Sequence, residues 1–172
     1  MNERGDVITF QGNPLTLIGQ TPPVGQPAPN ATLLDNDLTE VKLSDFEGKT
    51  VILTTAPSLD TPVCDAQTRR FNQEAARLGN VAILAISMDL PFAQKRWCAA
   101  AGVKAVQTLS DHRDCEFGLT YGLLIKELRL LARAVLVLDA RGTVRYVQIV
   151  PEITNEPDYA AALKAVAELG KT

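Results

Sequence analysis

Val51-Ile52-Leu53-Thr54-Thr55-Ala56-Pro57-Ser58-Leu59-Asp60-Thr61-Pro62-Val63-Cys64 joins a charge-free run to a turn and the start of a helix. The first six residues are apolar or β-branched, the pattern of a strand buried on both faces. Pro57 ends the run, and Ser58, Asp60 and Thr61 are turn formers. Pro62 presets φ for a first helical turn and Thr61 suits the N-cap, so Cys64 is predicted within that first turn. There the free backbone N–H groups and the positive end of the helix dipole favour an anion, and the thiolate is the nucleophilic form of sulfur. Cys64 is therefore the candidate nucleophile.

Downstream, the periodicity predicts a helix over 62–78 with Cys64, Thr68, Phe71, Ala75 and Leu78 on one face, then a second buried strand over Val81–Ile86. A helix over Pro91–Ala101 stops at Gly102, a natural C′ residue, and Val106–Leu109 reads as a short edge strand. Ala134–Leu138 and Thr143–Val150 flank the Asp139-Ala140-Arg141-Gly142 turn as an antiparallel hairpin, and a last helix over Pro157–Leu169 turns Tyr159, Leu163 and Val166 inward. Upstream, Val7–Phe10 and Leu15–Ile18 around Gln11-Gly12-Asn13-Pro14 form another hairpin signal, and residues 19–30 are a proline- and glycine-rich connection. Ala31–Leu34 and Val41–Leu43 are short strands about Asp35–Asp37, followed by a helical turn over Ser44–Gly48. The order βαβα then ββα predicts an α/β fold: a central mixed sheet flanked by helices, with residues 1–18 as an N-terminal β-hairpin extension. A chain of 172 residues, 46% hydrophobic and 22% charged, fits one domain over 1–172.

A formal charge of −3, with Lys and Arg spread along the chain, offers nucleic acid no basic stripe. One tryptophan, three tyrosines and five phenylalanines leave little for a stacking platform. No run approaches a membrane span, and the polar start Met1-Asn2-Glu3-Arg4-Gly5-Asp6 precedes no signal-peptide core. Three cysteines are too few for a disulfide-stapled secreted domain and suit a reducing, cytoplasmic setting.

A right-handed βαβ unit puts Cys64 at the carboxyl end of its strand, and Ser87-Met88-Asp89 reach the same edge. If 134–138 runs antiparallel, Arg133 returns there too and faces Cys64. A guanidinium beside sulfur can stabilise charge as an attacked O–O bond breaks, and the Thr61 hydroxyl can donate to an oxygen. Read alone, Thr61 is a helix cap and Arg133 a solvated or ion-paired arginine. Cys98, in Lys95-Arg96-Trp97-Cys98, falls on the shoulder of a helix whose inward face is Ala93, Trp97 and Ala101. A lone helical cysteine is commonly a small buried hydrophobe.

Pro57-x-x-x-Thr61-x-x-Cys64 resembles the active-site pattern of peroxiredoxins, and Pro-Ser-Leu-Asp-Thr-Pro-Val-Cys is similar to their thiol peroxidase (Tpx) subfamily of atypical two-cysteine enzymes. Val7–Pro14, Asp89–Gln94, Ala132–Val135 and Glu152–Tyr159 extend the resemblance over nearly the whole chain. It implies a thioredoxin-like fold, a homodimer, and reduction of hydrogen peroxide and organic hydroperoxides with electrons from thioredoxin. It further implies that Cys64 is peroxidatic and Cys98 resolving, that Thr61 and Arg133 position thiolate and peroxide, and that Pro57 shapes the pocket. The implied cycle passes through a Cys64 sulfenic acid and a Cys64–Cys98 disulfide, without metal or organic cofactor. Disulfide closure brings Cα atoms within about 7 Å, so one or both helices are expected to unwind locally.

Cys115, in Asp111-His112-Arg113-Asp114-Cys115, departs from the family pattern and reads as a buried or incidental thiol. A metal site of Cys98, His112 and Cys115 has irregular spacing, and His112 is expected on a surface loop. A dithiol–disulfide oxidoreductase would need Cys-x-x-Cys, which Cys64 lacks. A peroxide sensor passing its disulfide to a partner protein would share every one of these residues.

Overall fold

The N-terminal strands β1 (Glu3–Phe10) and β2 (Asn13–Ile18) form the expected hairpin in the computed structural model, which describes residues 1–75 and 77–171. Gln11 and Gly12 at its turn have φ of 51° and 82°, the two-residue primed turn whose twist suits its strands. β3 (Thr32–Leu34) and β4 (Glu40–Lys42) precede a 3₁₀ turn at Leu43–Phe46. Then come β5 (Thr50–Thr55), α1 (Pro62–Ala75), β6 (Val81–Ser87), α2 (Pro91–Ala101) and β7 (Gln107–Ser110). After α3 (Glu116–Thr120), β8 (Leu124–Ile125) and β9 (Leu130–Leu131), the chain ends in β10 (Ala134–Leu138), β11 (Val144–Ile149) and α4 (Tyr159–Leu169).

Seven strands lie in the order β11-β10-β5-β6-β7-β3-β4. β5, β6 and β7 are parallel, and β10 runs antiparallel to β5. This is the thioredoxin-like mixed sheet flanked by helices. Ile52, Ile83, Val135 and Val137 pack on one face with Phe71 of α1 and Ala162 and Val166 of α4. Leu53, Leu84, Ile86 and Leu136 pack on the other with Phe117 and Tyr121, whose rings stack at 4.3 Å. Burial on both faces explains why the central strands read as unbroken apolar runs.

Three expectations are corrected, and three elements are new. β7 is not an edge strand, because Leu34 of β3 pairs with Ser110 and carries β4 beyond it. α1 extends to Ala75 rather than 78; Arg77 and Leu78 donate to the carbonyls of Glu74 and Ala75, i to i+3 bonds that tighten the exit. The expected helical residue Ala76 lies outside the described residues. In α4 the inward stripe is Tyr159, Ala162, Ala165, Val166 and Leu169, with Leu163 off its centre, because at about 100° per residue it lies a quarter-turn round from the buried Ala162. α3, β8 and β9 were not expected at all, being too short to show a period.

β8 pairs with both β2 and β9, so the N-terminal hairpin belongs to a second sheet, β1-β2-β8-β9, over a cluster of Ile8, Leu17, Ile125, Ala132 and Ile153. Gly19 and Gly122 cross at close range beside it. A Cβ at Gly122 would stand 2.6 Å from the Gln20 carbonyl carbon, and one at Gly19 would stand 2.3 Å from the Leu119 oxygen. Both glycines also have positive φ, so the connection after the hairpin depends on having no side chain there. Among the described residues no helix is long and apolar enough to cross a membrane.

Candidate active site

Thr55 at the carboxyl end of β5 pairs with Ala134, and its hydroxyl donates to the Ala132 carbonyl at 2.7 Å. Arg133 is thereby fixed between two pinned residues, at the sheet edge where α1 begins. Cys64, third residue of α1, is fully buried, and Arg133 is 2% exposed. Arg133 Nη2 donates to Cys64 Sγ at 3.3 Å, Nη1 to Gln67 Oε1 at 2.6 Å and Nε to the Ile153 carbonyl at 2.9 Å. No ion pair among the described residues includes Arg133. The guanidinium is thus buried with the Cys64 sulfur, an amide oxygen and a backbone carbonyl as its acceptors, and the sulfur is the one of the three that chemistry can change.

Gln67 was not expected, although its position was legible as a polar residue on the inward stripe between Cys64 and Phe71. Its amide nitrogen donates to the Thr54 hydroxyl and to the Thr55 carbonyl, tying α1 to β5. Asp89, expected at this edge of the sheet, has a bonding role that its sequence position does not reveal. Its carboxylate accepts from Ser58 Oγ at 2.7 Å, from the Leu59 N–H at 2.8 Å and from Ser87 Oγ at 2.7 Å. The loop between β5 and α1 is thus moored to the end of β6.

Above Arg133 lies a cavity of about 360 Å³, lined by Phe10, Pro57, Thr61, Leu128 and Ile153 among others. Pro57 is buried and Thr61 exposed. Thr61 occupies the N-cap position, its carbonyl accepting from the Asp65 N–H at 3.0 Å, while its hydroxyl donates to the Ser58 carbonyl at 3.0 Å. The hairpin supports this wall: Thr9 donates to the Pro151 carbonyl at 2.7 Å, and its own carbonyl accepts from Ile153 N–H at 3.0 Å. Ile153 is the residue whose carbonyl holds Arg133.

Cys98 stands apart from these groups. It is half-buried, its sulfur 3.4 Å from Thr108 Oγ1, beside a polar cleft of about 540 Å³ that Asp35, Asn36 and Lys104 also line. Cys64, Cys98 and Cys115 are all free thiols. Cys115 is buried, and burial pushes its thiol pKa up, against the pull of Arg129, whose Nη2 donates to the sulfur at 3.4 Å. Cys115 and Arg129 both hold left-handed backbones, φ 52° and 55°. His112 is half-buried in the turn after β7. Among the described residues no three His, Cys, Asp or Glu side chains group as a metal site, so Cys98, His112 and Cys115 do not assemble one.

A thioredoxin-like sheet with a cysteine in the first turn of the helix after a central strand is the architecture of the redoxins, and the Redoxin family profile matches residues 23–163. The thiol peroxidase of Halalkalibacterium halodurans is 58% identical over 158 residues, covering 92% of this chain and 95% of its own. That of Bacillus subtilis is 56% identical over 164 residues, covering 95% and 98%. The crystal structure of a peroxiredoxin-like protein from Aquifex aeolicus matches with a TM-score of 0.90 at 41% identity, covering 95% of this chain and 97% of that one. A thiol peroxidase from Chromobacterium violaceum, 22% identical with a TM-score of 0.86, shares the fold. The chain belongs to the redoxin family and, within it, to the thiol peroxidases.

Proposed function

We propose that the protein reduces hydrogen peroxide and alkyl hydroperoxides at Cys64, resolves the product through a Cys64–Cys98 disulfide, and is recycled by thioredoxin. The observation that carries this reading is Arg133 Nη2 at 3.3 Å from the Cys64 sulfur, beneath a largely apolar cavity. Cys64 thiolate attacks the terminal peroxide oxygen, the O–O bond breaks, and the leaving oxygen takes a proton to depart as water or an alcohol. Sulfur retains the other oxygen as a sulfenic acid. Arg133 supplies fixed positive charge where charge develops, preorganised by Gln67 and the Ile153 carbonyl. The Thr61 hydroxyl, at the cavity wall, turns from the Ser58 carbonyl to donate to the bound peroxide. Pro57 closes the cavity to water. Phe10, Leu128 and Ile153 receive the organic part of an alkyl hydroperoxide. We assign the chain to one domain, working as a homodimer in the cytoplasm.

Non-reducing peptide mapping after one equivalent of peroxide tests the assignment. A Cys64–Cys98 linkage, reopened by thioredoxin and NADPH-coupled thioredoxin reductase, is the expected result. A Cys64–Cys115 linkage, or no oxidation, would overturn it.

A further inference from the structure

Asp65 and Trp97 are next in sequence to the two cysteines that this cycle joins, and they are bonded to each other. Trp97 Nε1 donates to Asp65 Oδ1 at 2.8 Å, and Arg69 Nε donates to Asp65 Oδ2 at 2.8 Å. The Arg69 guanidinium lies 5.7 Å from the Trp97 ring centre, within cation–π range, and its Nη1 donates to the Ala101 carbonyl at 3.2 Å. Both carboxylate oxygens are engaged, so one clasp joins the first turn of α1 to the later turns of α2. Asn72 continues the same stripe of α1 by accepting from the Ala105 N–H at 2.9 Å.

The two sulfurs are anchored on different sides of this clasp. Cys64 is held by Arg133, and Gln67, three residues on, is bonded to Thr54. Cys98 meets Thr108. Thr54 pairs with Ala85 and Ala85 with Thr108, so the two threonines share one row of the sheet. They are two strands apart, about 10 Å. A disulfide needs Cα atoms within about 7 Å and facing Cβ atoms, so the turn bearing one cysteine must leave its place. Moving either turn separates Asp65 from Trp97.

We infer that Asp65, Trp97 and Arg69 form a positioning clasp that holds the peroxide-reactive arrangement and sets the rate at which Cys98 reaches Cys64. The inference rests on the Cys64–Cys98 cycle proposed above. In the step it governs, the Cys98 sulfur bonds to the Cys64 sulfur and the sulfenic S–O bond breaks. The departing oxygen leaves as water with the Cys98 proton. While the clasp holds, the sulfenic acid persists and a second peroxide can carry it to sulfinic acid.

Trp97→Phe keeps a ring in place and removes the N–H. Arg69→Gln, at an exposed side chain, releases the opposite side of the clasp. Loss of a hydrogen bond to a charged group spans about ten- to a hundredfold, and the partial exposure of Asp65 and Arg69 puts this one at the low end, about tenfold. In rapid-quench mass spectrometry, each variant is expected to convert sulfenic acid to disulfide about tenfold faster, with the peroxide reaction of the reduced protein unchanged. Sulfinic acid should then require more peroxide. The disulfide should become harder to reduce by about 30 mV, the same tenfold in equilibrium constant. A slower peroxide reaction in both variants would show general loosening of the fold in place of a specific clasp, and it too overturns the inference. Resolution no faster in both variants, with the Cys64–Cys98 disulfide still formed, overturns the clasp. Absence of that disulfide from the unaltered protein overturns the cycle, and the clasp's role with it.

Discussion

Gln67 Oε1 accepts a hydrogen bond from Arg133 Nη1 at 2.6 Å, so the helix that carries the sulfur also holds the cation facing it. Cys64 and Gln67 are three residues apart on α1, and both sit against the same guanidinium. The amide nitrogen of Gln67 reaches the Thr55 carbonyl at 3.1 Å, which fastens the pair to the strand beneath. A neutral amide suits this position. A carboxylate there would satisfy the charge of Arg133 and compete with the sulfur for it.

Gln67→Ala should therefore slow the reaction with hydrogen peroxide by about ten- to a hundredfold, the range for losing a hydrogen bond to a charged group. Gln67→Glu should slow it at least as much although it restores an acceptor. Stopped-flow rate constants for both variants, beside circular dichroism to verify folding, make the measurement. If Gln67→Glu reacts as fast as the unaltered protein, the competition argument is wrong.

The legible parts of this molecule were those with local signatures. The strand over Val51–Ala56, the proline-started helix and the antiparallel return through Ala134 each announce themselves in a few adjacent residues, and together they put Arg133 opposite Cys64. What stayed hidden depends on long-range pairing. β8 and β9 have two residues each, too few for any period, and exist because Leu17 and Ile18 offer an edge to pair with. The bond from Trp97 to Asp65 crosses 32 residues, and nothing in either neighbourhood marks it. The hairpin was legible as a hairpin, but its bracing of Ile153 was not, because that contact joins the two ends of the chain.

Two carboxyl groups should shape stability in acid with opposite signs. Burial of Asp111 pushes its carboxyl up to about 6, from 3.8, despite backbone bonds from Gly118 and Phe117. The folded form then takes up a proton more readily than the unfolded one, so stability rises as pH falls from about 6 towards 3.8. Glu152 is the reverse: bonds from the Gly12 N–H, Thr9 Oγ1 and the Thr154 N–H and hydroxyl hold its carboxyl down to about 2, from 4.5. Its contribution is complete above 4.5 and is lost as pH falls towards 2. Urea unfolding across this range should show Glu152→Gln with a shallower loss below 4.5, and Asp111→Asn without the gain between 6 and 3.8. An undiminished acid loss in Glu152→Gln would show that the hairpin is not secured by this carboxylate.

Phe10 and Leu128 should distinguish organic hydroperoxides from hydrogen peroxide. Each is 38% exposed, and they reach the cavity above Arg133 from β1 and from the turn between β8 and β9. Hydrogen peroxide has no apolar part to place against them, whereas cumene hydroperoxide carries a ring and two methyl groups. At about 25 cal/mol per Å² of buried apolar surface, losing about 55 Å² of contact amounts to about 1.4 kcal/mol, or tenfold. Phe10→Ala and Leu128→Ala are therefore expected to lower kcat/KM for cumene hydroperoxide by about tenfold, mainly through KM, while hydrogen peroxide turnover stays within about twofold. A parallel fall for both peroxides, at unchanged melting temperature, would mean that these side chains shape the reacting centre itself and do not select the substrate.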